Sequence, residues 1–139
     1  MVGKSKVATA AEKQRMNTLK ENVPCIACLL TVRMGYRLPT IHHLTSGFRR
    51  RGHTDTIPLC AYHHQGDTEG HDKQVIMGVL GPSYAHGRRN FEQTYGNDDT
   101  LLAVTNLILE YFKRYPWLDY DVPEPVRREA IELWRKKKQ

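Results

Sequence analysis

Apolar positions fall into short runs, and their spacing predicts a chain of small elements. From Thr9 to Glu21 the residues favour helix, with Ala10, Ala11, Met16 and Leu19 on the apolar side, and Pro24 closes the segment. Cys25–Cys28 reads as a tight turn. Residues 29–44, LLTVRMGYRLPTIHHL, carry β-branched and aromatic residues interrupted by Gly35 and Pro39, which predicts a strand, a break and a second strand. TSGFRRRGHT is a basic turn bounded by two glycines, and Thr56–Leu59 is a short apolar run ending at Cys60. A short helix follows from Ala61, broken early by the polar QGDTEGHDKQ; residues 72–90 are punctuated by glycine and carry no assignable period. Asn90–Tyr95 predicts one or two helical turns stopped by Gly96. Asp98 or Asp99 caps the next helix, in which Leu101, Leu102, Val104, Ile108, Leu109 and Phe112 recur at helical period. After the proline-rich PWLDYDVPEP, a last helix over 125–137 presents Val126, Ile131 and Trp134 and ends basic.

A chain of 139 residues suffices for one compact domain and not for two ordinary ones. Its 40% apolar content predicts a modest core with exposed arms. The net charge of +6 favours a polyanionic partner, nucleic acid being the commonest. No long apolar run predicts a membrane span and no signal-peptide pattern opens the chain, so a cytoplasmic protein is expected. Three cysteines make an odd number, which argues against a disulfide framework. A C-x-x-C in a reducing compartment reads as metal or redox chemistry, and the βαβ context of a thioredoxin-like motif is missing.

The chemistry concentrates between Cys25 and His64, in CIAC, IHHL and PLCAYHH. Cys25 and Cys28 form one knuckle, Cys60 and His63 a second. Together they supply the four soft or borderline ligands of a tetrahedral structural zinc, which would staple a small core. His42 and His43 end a predicted strand, where neighbouring side chains point to opposite faces, so both enter one site only if a twist or bulge brings them together. His64 directly follows a zinc ligand and inherits a fixed position; His71 and His86 lie further on and could complete a second metal site. His53 reads as an ordinary surface histidine. Arg49, Arg50 and Arg51, with Arg88 and Arg89, form clusters suited to forking backbone phosphates. No helix carries base-reading residues at regular spacing, so little sequence specificity is expected.

IHHL, DTIPLC and C-x-x-HH together resemble the HNH endonucleases. That resemblance implies a ββα-metal fold in which His43 is the general base that activates water and His42 and His64 bind the catalytic metal. Asp55 falls at the position of the family's asparagine, which orients the loop beside the base; an aspartate can accept the same hydrogen bonds but not donate them. PLCAYHHQG, the His86-Gly87 pair and NFEQTYG followed by a leucine pair are similar to the phage-encoded Ref family of RecA-dependent recombination-enhancement nucleases, over about Cys25 to Leu102. This implies His86 as a further ligand of the catalytic metal, with His71 as the rival, and a structural Zn2+ beside a catalytic Mg2+ or Mn2+ (or a second Zn2+). It also implies DNA as substrate, single-stranded or a recombination intermediate, a RecA filament as partner, and the bacterial host's cytoplasm as the place of action. The expected architecture is α+β: an N-terminal arm and helix over 1–24, a zinc-stabilised ββα-metal core over 25–96, and helices over 97–139 packed on it. The rival is a non-catalytic zinc-knuckle module for DNA binding or docking, which leaves His42, His43 and His64 without a purpose.

Overall fold

Thr9 starts the first helix. Its hydroxyl accepts from the Glu12 N–H at 3.2 Å and the Glu12 carboxylate accepts from the Thr9 N–H at 2.8 Å, so two donors that the helix cannot pair are satisfied. The computed structural model describes residues 7–31, 39–46, 49–115 and 122–138. Of the apolar side expected on α1 (Ala10–Glu21), Leu19 is fully buried, while Ala10 and Ala11 face solvent.

The turn expected at Cys25–Cys28 is instead the entry to a helix, α2 (Ile26–Thr31), whose first hydrogen bond runs from the Leu29 N–H to the Cys25 carbonyl at 2.9 Å. Every residue from Cys25 to Leu30 is buried. The strand expected from residue 29 is therefore helical as far as Thr31, because tertiary burial of Ile26, Leu29 and Leu30 outweighs a weak local preference. Residues 32–38, the rest of that expected strand, lie outside the described residues.

Strands β1 (Thr40–His43) and β4 (Thr56–Leu59) pair antiparallel, with His42 opposite Ile57 and His43 opposite Thr56. Between them β2 (Thr45–Ser46) and β3 (Arg49–Arg50) pair where a basic turn was expected. Leu44 ties this hairpin back: its N–H donates to the Asp55 carbonyl at 2.9 Å and its carbonyl accepts from the Arg51 N–H at 2.8 Å. The predicted short helix is α3 (Ala61–Gln65), stopped by Gly66 in the left-handed conformation at φ 77°.

The segment without an assignable period contains α4 (Lys73–Leu80), started by the Asp72 carboxylate, which accepts from the Gln74 and Val75 N–H groups. A single 3-10 turn at Tyr84–His86 leads to α5 (Arg88–Tyr95). Asn97, not Asp98 or Asp99, caps α6 (Asp98–Arg114), accepting from the Thr100 N–H at 2.9 Å. The predicted periodicity holds: Leu101, Val104, Ile108 and Phe112 are buried. The last helix, α7 (Glu124–Lys138), packs against α6 and α2 and buries Val126 and Ala130. The Arg127 guanidinium donates to the Leu29 carbonyl at 3.0 Å and the Trp134 indole to the Tyr95 carbonyl at 2.6 Å. Among the described residues the chain is α+β, with seven α-helices and two two-stranded sheets. One core joins Leu19, Leu29, Leu44, Ile57, Leu59, Leu101 and Ile108, so the two C-terminal helices complete the monomer's own interior.

Candidate functional site

The two knuckles meet at the starts of two helices. Cys60 is the cap of α3: its backbone is extended and its sulfur accepts from the His63 N–H at 3.4 Å, so C-x-x-H in this first turn sets thiol and imidazole side by side. The His63 Nδ1 lies 3.4 Å from the Cys25 Sγ, 3.5 Å from the Cys28 Sγ and 3.2 Å from the Cys60 Sγ. All four residues are buried, and their ligand atoms lie within 4.8 Å of one another. Bonds of about 2.3 Å to sulfur and about 2.0 Å to nitrogen give a tetrahedral sulfur–nitrogen edge of about 3.5 Å. Cys25, Cys28, Cys60 and His63 therefore fit a metal such as zinc in number, chemistry and spacing.

The surroundings complete that fit. The His63 Nε2 lies 2.7 Å from the Leu80 carbonyl and 3.2 Å from the Tyr95 hydroxyl. A carbonyl can only accept, so Nε2 carries the proton and the Nδ1 lone pair faces the sulfurs, the tautomer a ligand needs. Without a cation the cluster distributes charge unevenly. Burial pushes the Cys25 thiol up, and the neighbouring Cys28 and Cys60 add to it. Hydrogen bonds from Cys25 and Cys28 pull Cys60 down. Burial works against charge on His63, but the Cys28 and Cys60 sulfurs outweigh it and raise the imidazole to about 9. These are the marks of a site whose sulfurs are crowded together and short of positive charge.

A second cluster lies on the seam between β1 and α3. His42 is 8% exposed, and its ring centroid lies 4.8 Å from that of His64 and 4.7 Å from that of Tyr84. Its Nε2 is buried and has no hydrogen-bond partner, a costly state for a polar atom unless something binds it. Burial, helped by His64, His43 and Arg88, lowers the His42 pKa to about 4 and keeps it neutral. His64 is oriented by Thr40. The Thr40 hydroxyl donates to the Leu59 carbonyl at 2.9 Å, so its oxygen accepts from the His64 Nδ1–H at 3.0 Å, and the His64 Nε2 keeps a lone pair.

His43 occupies the next position on β1, half-buried; burial, Arg50, His53 and His64 lower its pKa. Its Nε2 lies 3.2 Å from the Nδ1 of His53. His53 was read from the sequence as an ordinary surface histidine; the turn over residues 52–55 carries it to the side of His43. The other two expected metal ligands lie differently. The His86 ring stacks edge-on against Tyr62 at 5.9 Å, and its Nδ1 accepts from the Ser83 N–H at 3.3 Å. Among the described residues no ring contact joins it to His42 or His64. His71 is exposed ahead of α4, with its N–H bonded to the Thr68 carbonyl.

Asp55 holds the loop beside β1 with its backbone: its carbonyl takes the Leu44 N–H while its carboxylate pairs with Arg51 at 3.0 Å. The main chain thus bonds to the residue after His43, and the side chain braces the turn. The arginines divide into two groups. Arg51 also pairs with Asp99 at 2.7 Å, and Arg88 pairs with Glu92 at 2.9 Å and Asp98 at 2.8 Å. Arg49, Arg50 and Arg89 are exposed and meet no carboxylate among the described residues.

Two paired strands followed by a helix, a buried Cys3His cluster fit to hold a metal at that helix's start and a cluster of neutral histidines on its seam with the first strand define a small α+β domain. Residues 8–110 match the family described as recombination enhancement, RecA-dependent nuclease, and the chain belongs to that family. Membership makes it a nuclease acting on DNA in recombination. No curated protein matches the chain. Among the described residues no helix is long and apolar enough to cross a membrane.

Proposed function

We propose that the chain is an HNH-type endonuclease that hydrolyses DNA phosphodiester bonds with a divalent cation, shows little sequence specificity, and acts on recombination intermediates together with a RecA filament. Cys25, Cys28, Cys60 and His63 hold a structural zinc. His42 and His64 would hold a catalytic Mg2+ or Mn2+, and the sequence offers His86, or else His71, as a further ligand. The observation that carries this reading is the buried, unpartnered His42 Nε2, on a ring whose centroid lies 4.8 Å from that of His64 and whose neighbour in the chain is His43.

A cation held there would supply Lewis acidity for phosphodiester hydrolysis. The chain's own residues supply the rest. His43 takes the proton from the attacking water, a contribution of about 10²–10⁴-fold. Its pKa is lowered by burial and by Arg50, which keeps the ring unprotonated and able to act as a base at neutral pH. The Thr40–His64 hydrogen bond fixes which nitrogen of His64 faces the site. Asp55 keeps the loop after His43 in register through Leu44, and Arg49 and Arg50, next to the base, attract the DNA backbone.

Zinc-loaded protein should be offered single-stranded circular DNA, duplex plasmid and a RecA-made displacement loop, each with magnesium, manganese or EDTA. Cleavage that requires the cation and is strongest on the RecA-bound substrate supports the reading. No cleavage in any arm by a folded, zinc-loaded protein would replace it with the zinc-knuckle binding module.

A further inference from the structure

The direction of the contact between His43 and His53 follows from the role proposed for His43. A neutral imidazole has one N–H and one lone pair. The Nε2 of His43 is occupied by the Nδ1 of His53 at 3.2 Å, so Nδ1 is the His43 nitrogen left to meet a water. That nitrogen has a free lone pair only if the ring proton sits on Nε2. The His53 Nδ1 must then accept it, and His53 must carry its own proton on Nε2. We propose that His53 is a positioning residue for the base: by accepting the His43 Nε2–H it holds His43 in the tautomer whose Nδ1 is open. The inference rests on the nuclease reading and adds to it a residue that neither the motif nor the family match assigns.

The surroundings hold His53 where this role needs it. Thr56 is the ladder partner of His43, and its hydroxyl donates to the His53 carbonyl at 3.1 Å. The Thr56 hydroxyl oxygen in turn accepts from the Arg15 Nε at 3.1 Å, and the Thr56 carbonyl accepts from the Arg15 Nη2 at 2.8 Å. Thus the residue opposite the base pins the backbone of the residue that orients it. Gly52 begins the turn at φ +119°, a conformation side chains rarely adopt, and its carbonyl accepts from the Asp55 N–H at 3.3 Å. The two rings meet edge-to-face with centroids 5.3 Å apart, which suits one in-plane hydrogen bond rather than stacking. When the water's proton arrives on the His43 Nδ1, the Nε2–H stays in place, donating to His53, and no proton has to leave the pair. The arrangement parallels the carboxylate that fixes a catalytic histidine's tautomer in serine proteases, with a neutral acceptor in place of the charge.

The test uses the zinc-loaded full chain labelled with 15N-histidine, as wild type, His53→Ala and His53→Asn. The His43 signals are identified by their loss in His43→Ala. The wild type should show His43 protonated on Nε2 and bare on Nδ1. His53→Ala should give a tautomer mixture and lower kcat about 10–100-fold with KM nearly unchanged, the usual cost of losing an orienting partner. The asparagine Oδ1 falls close to the histidine Nδ1 position, so His53→Asn should restore the Nε2–H tautomer and most of kcat. Unchanged zinc content and melting temperature across the set separate this effect from misfolding. A wild-type His43 protonated on Nδ1, or a tautomer and kcat indifferent to His53→Ala, would overturn the proposal. The tautomer is read without DNA, so a wild type that cuts nothing refutes the nuclease reading separately from the hydrogen bond.

Discussion

At the scale of single residues the site depends on histidines that stay neutral, each for a traceable reason. His42 is stripped of water by β1 and Tyr84, and the nearby His64, His43 and Arg88 add to the shift. The sign of its linkage to folding follows. Between pH 6.5 and about 4 the unfolded chain protonates this histidine while the folded chain does not, so stability is highest above pH 6.5 and falls toward pH 4. Zinc ligands that take up protons act in the same direction. A melting-temperature series from neutral to acid pH should therefore decline, and His42→Gln should decline less steeply than wild type. Equal slopes would assign the whole loss to the zinc cluster. His64 and His43 each present one defined nitrogen, His64 because Thr40 spends its proton on Leu59 and His43 because His53 stands beside it.

At the scale of elements, the Cys25, Cys28, Cys60 and His63 cluster brings the start of α2 to the start of α3, where a bound metal would tie them together. Apparent zinc-binding free energies of about 10–16 kcal/mol are of the same order as the whole stability of a domain, about 5–15 kcal/mol. Cys60→Ser, or chelation, is expected to remove the zinc and abolish the cooperative melt. A sharp melt in metal-free protein would contradict the structural role. The same elements explain what could be read beforehand. The two knuckles and α6 were legible because their signals are local: fixed spacing in one case and a helical period over several turns in the other. The α2 helix was not, since its six residues IACLLT are helical because the core covers all but the last of them. The α4 helix was hidden by Gly78 within it, by Gly81 just past its end, and by an exposed apolar pair, Val75 and Val79. Asp98 fits the pattern of a cap, but it is buried against Arg88, and Asn97 takes the position. His53 left no signal, because its meeting with His43 depends on the backbone of a four-residue turn rather than on spacing. Of the histidines singled out in the sequence, His42 and His64 lie side by side on the strand–helix seam, while the 3-10 turn sets His86 against Tyr62.

At the scale of the molecule, a net charge of +6 does not act as a uniform coat. Carboxylates brace Arg51 and Arg88, whereas Arg49 and Arg50 stand exposed on β3. If these two meet phosphates, the double variant Arg49→Ala/Arg50→Ala should reduce the slope of log affinity against log salt by about 2 on duplex DNA. An unchanged slope would move the DNA path elsewhere on the surface. The C-terminal helices support this chemistry: Asp98 and Asp99 at the start of α6 pair with Arg88 and Arg51, while α7 packs on α2, which carries Cys28, and anchors Leu29 through Arg127. On the proposed reading, a metal at Cys25, Cys28, Cys60 and His63 would hold the fold, while other residues act on DNA. The most direct test of that separation is to measure zinc content, melting temperature and cation-dependent cleavage on one preparation each of wild type and His43→Ala. Equal zinc, equal melting and cleavage lost only in the variant are expected. Cleavage retained by His43→Ala, or zinc lost together with it, would rule out His43 as the base acting apart from the zinc cluster.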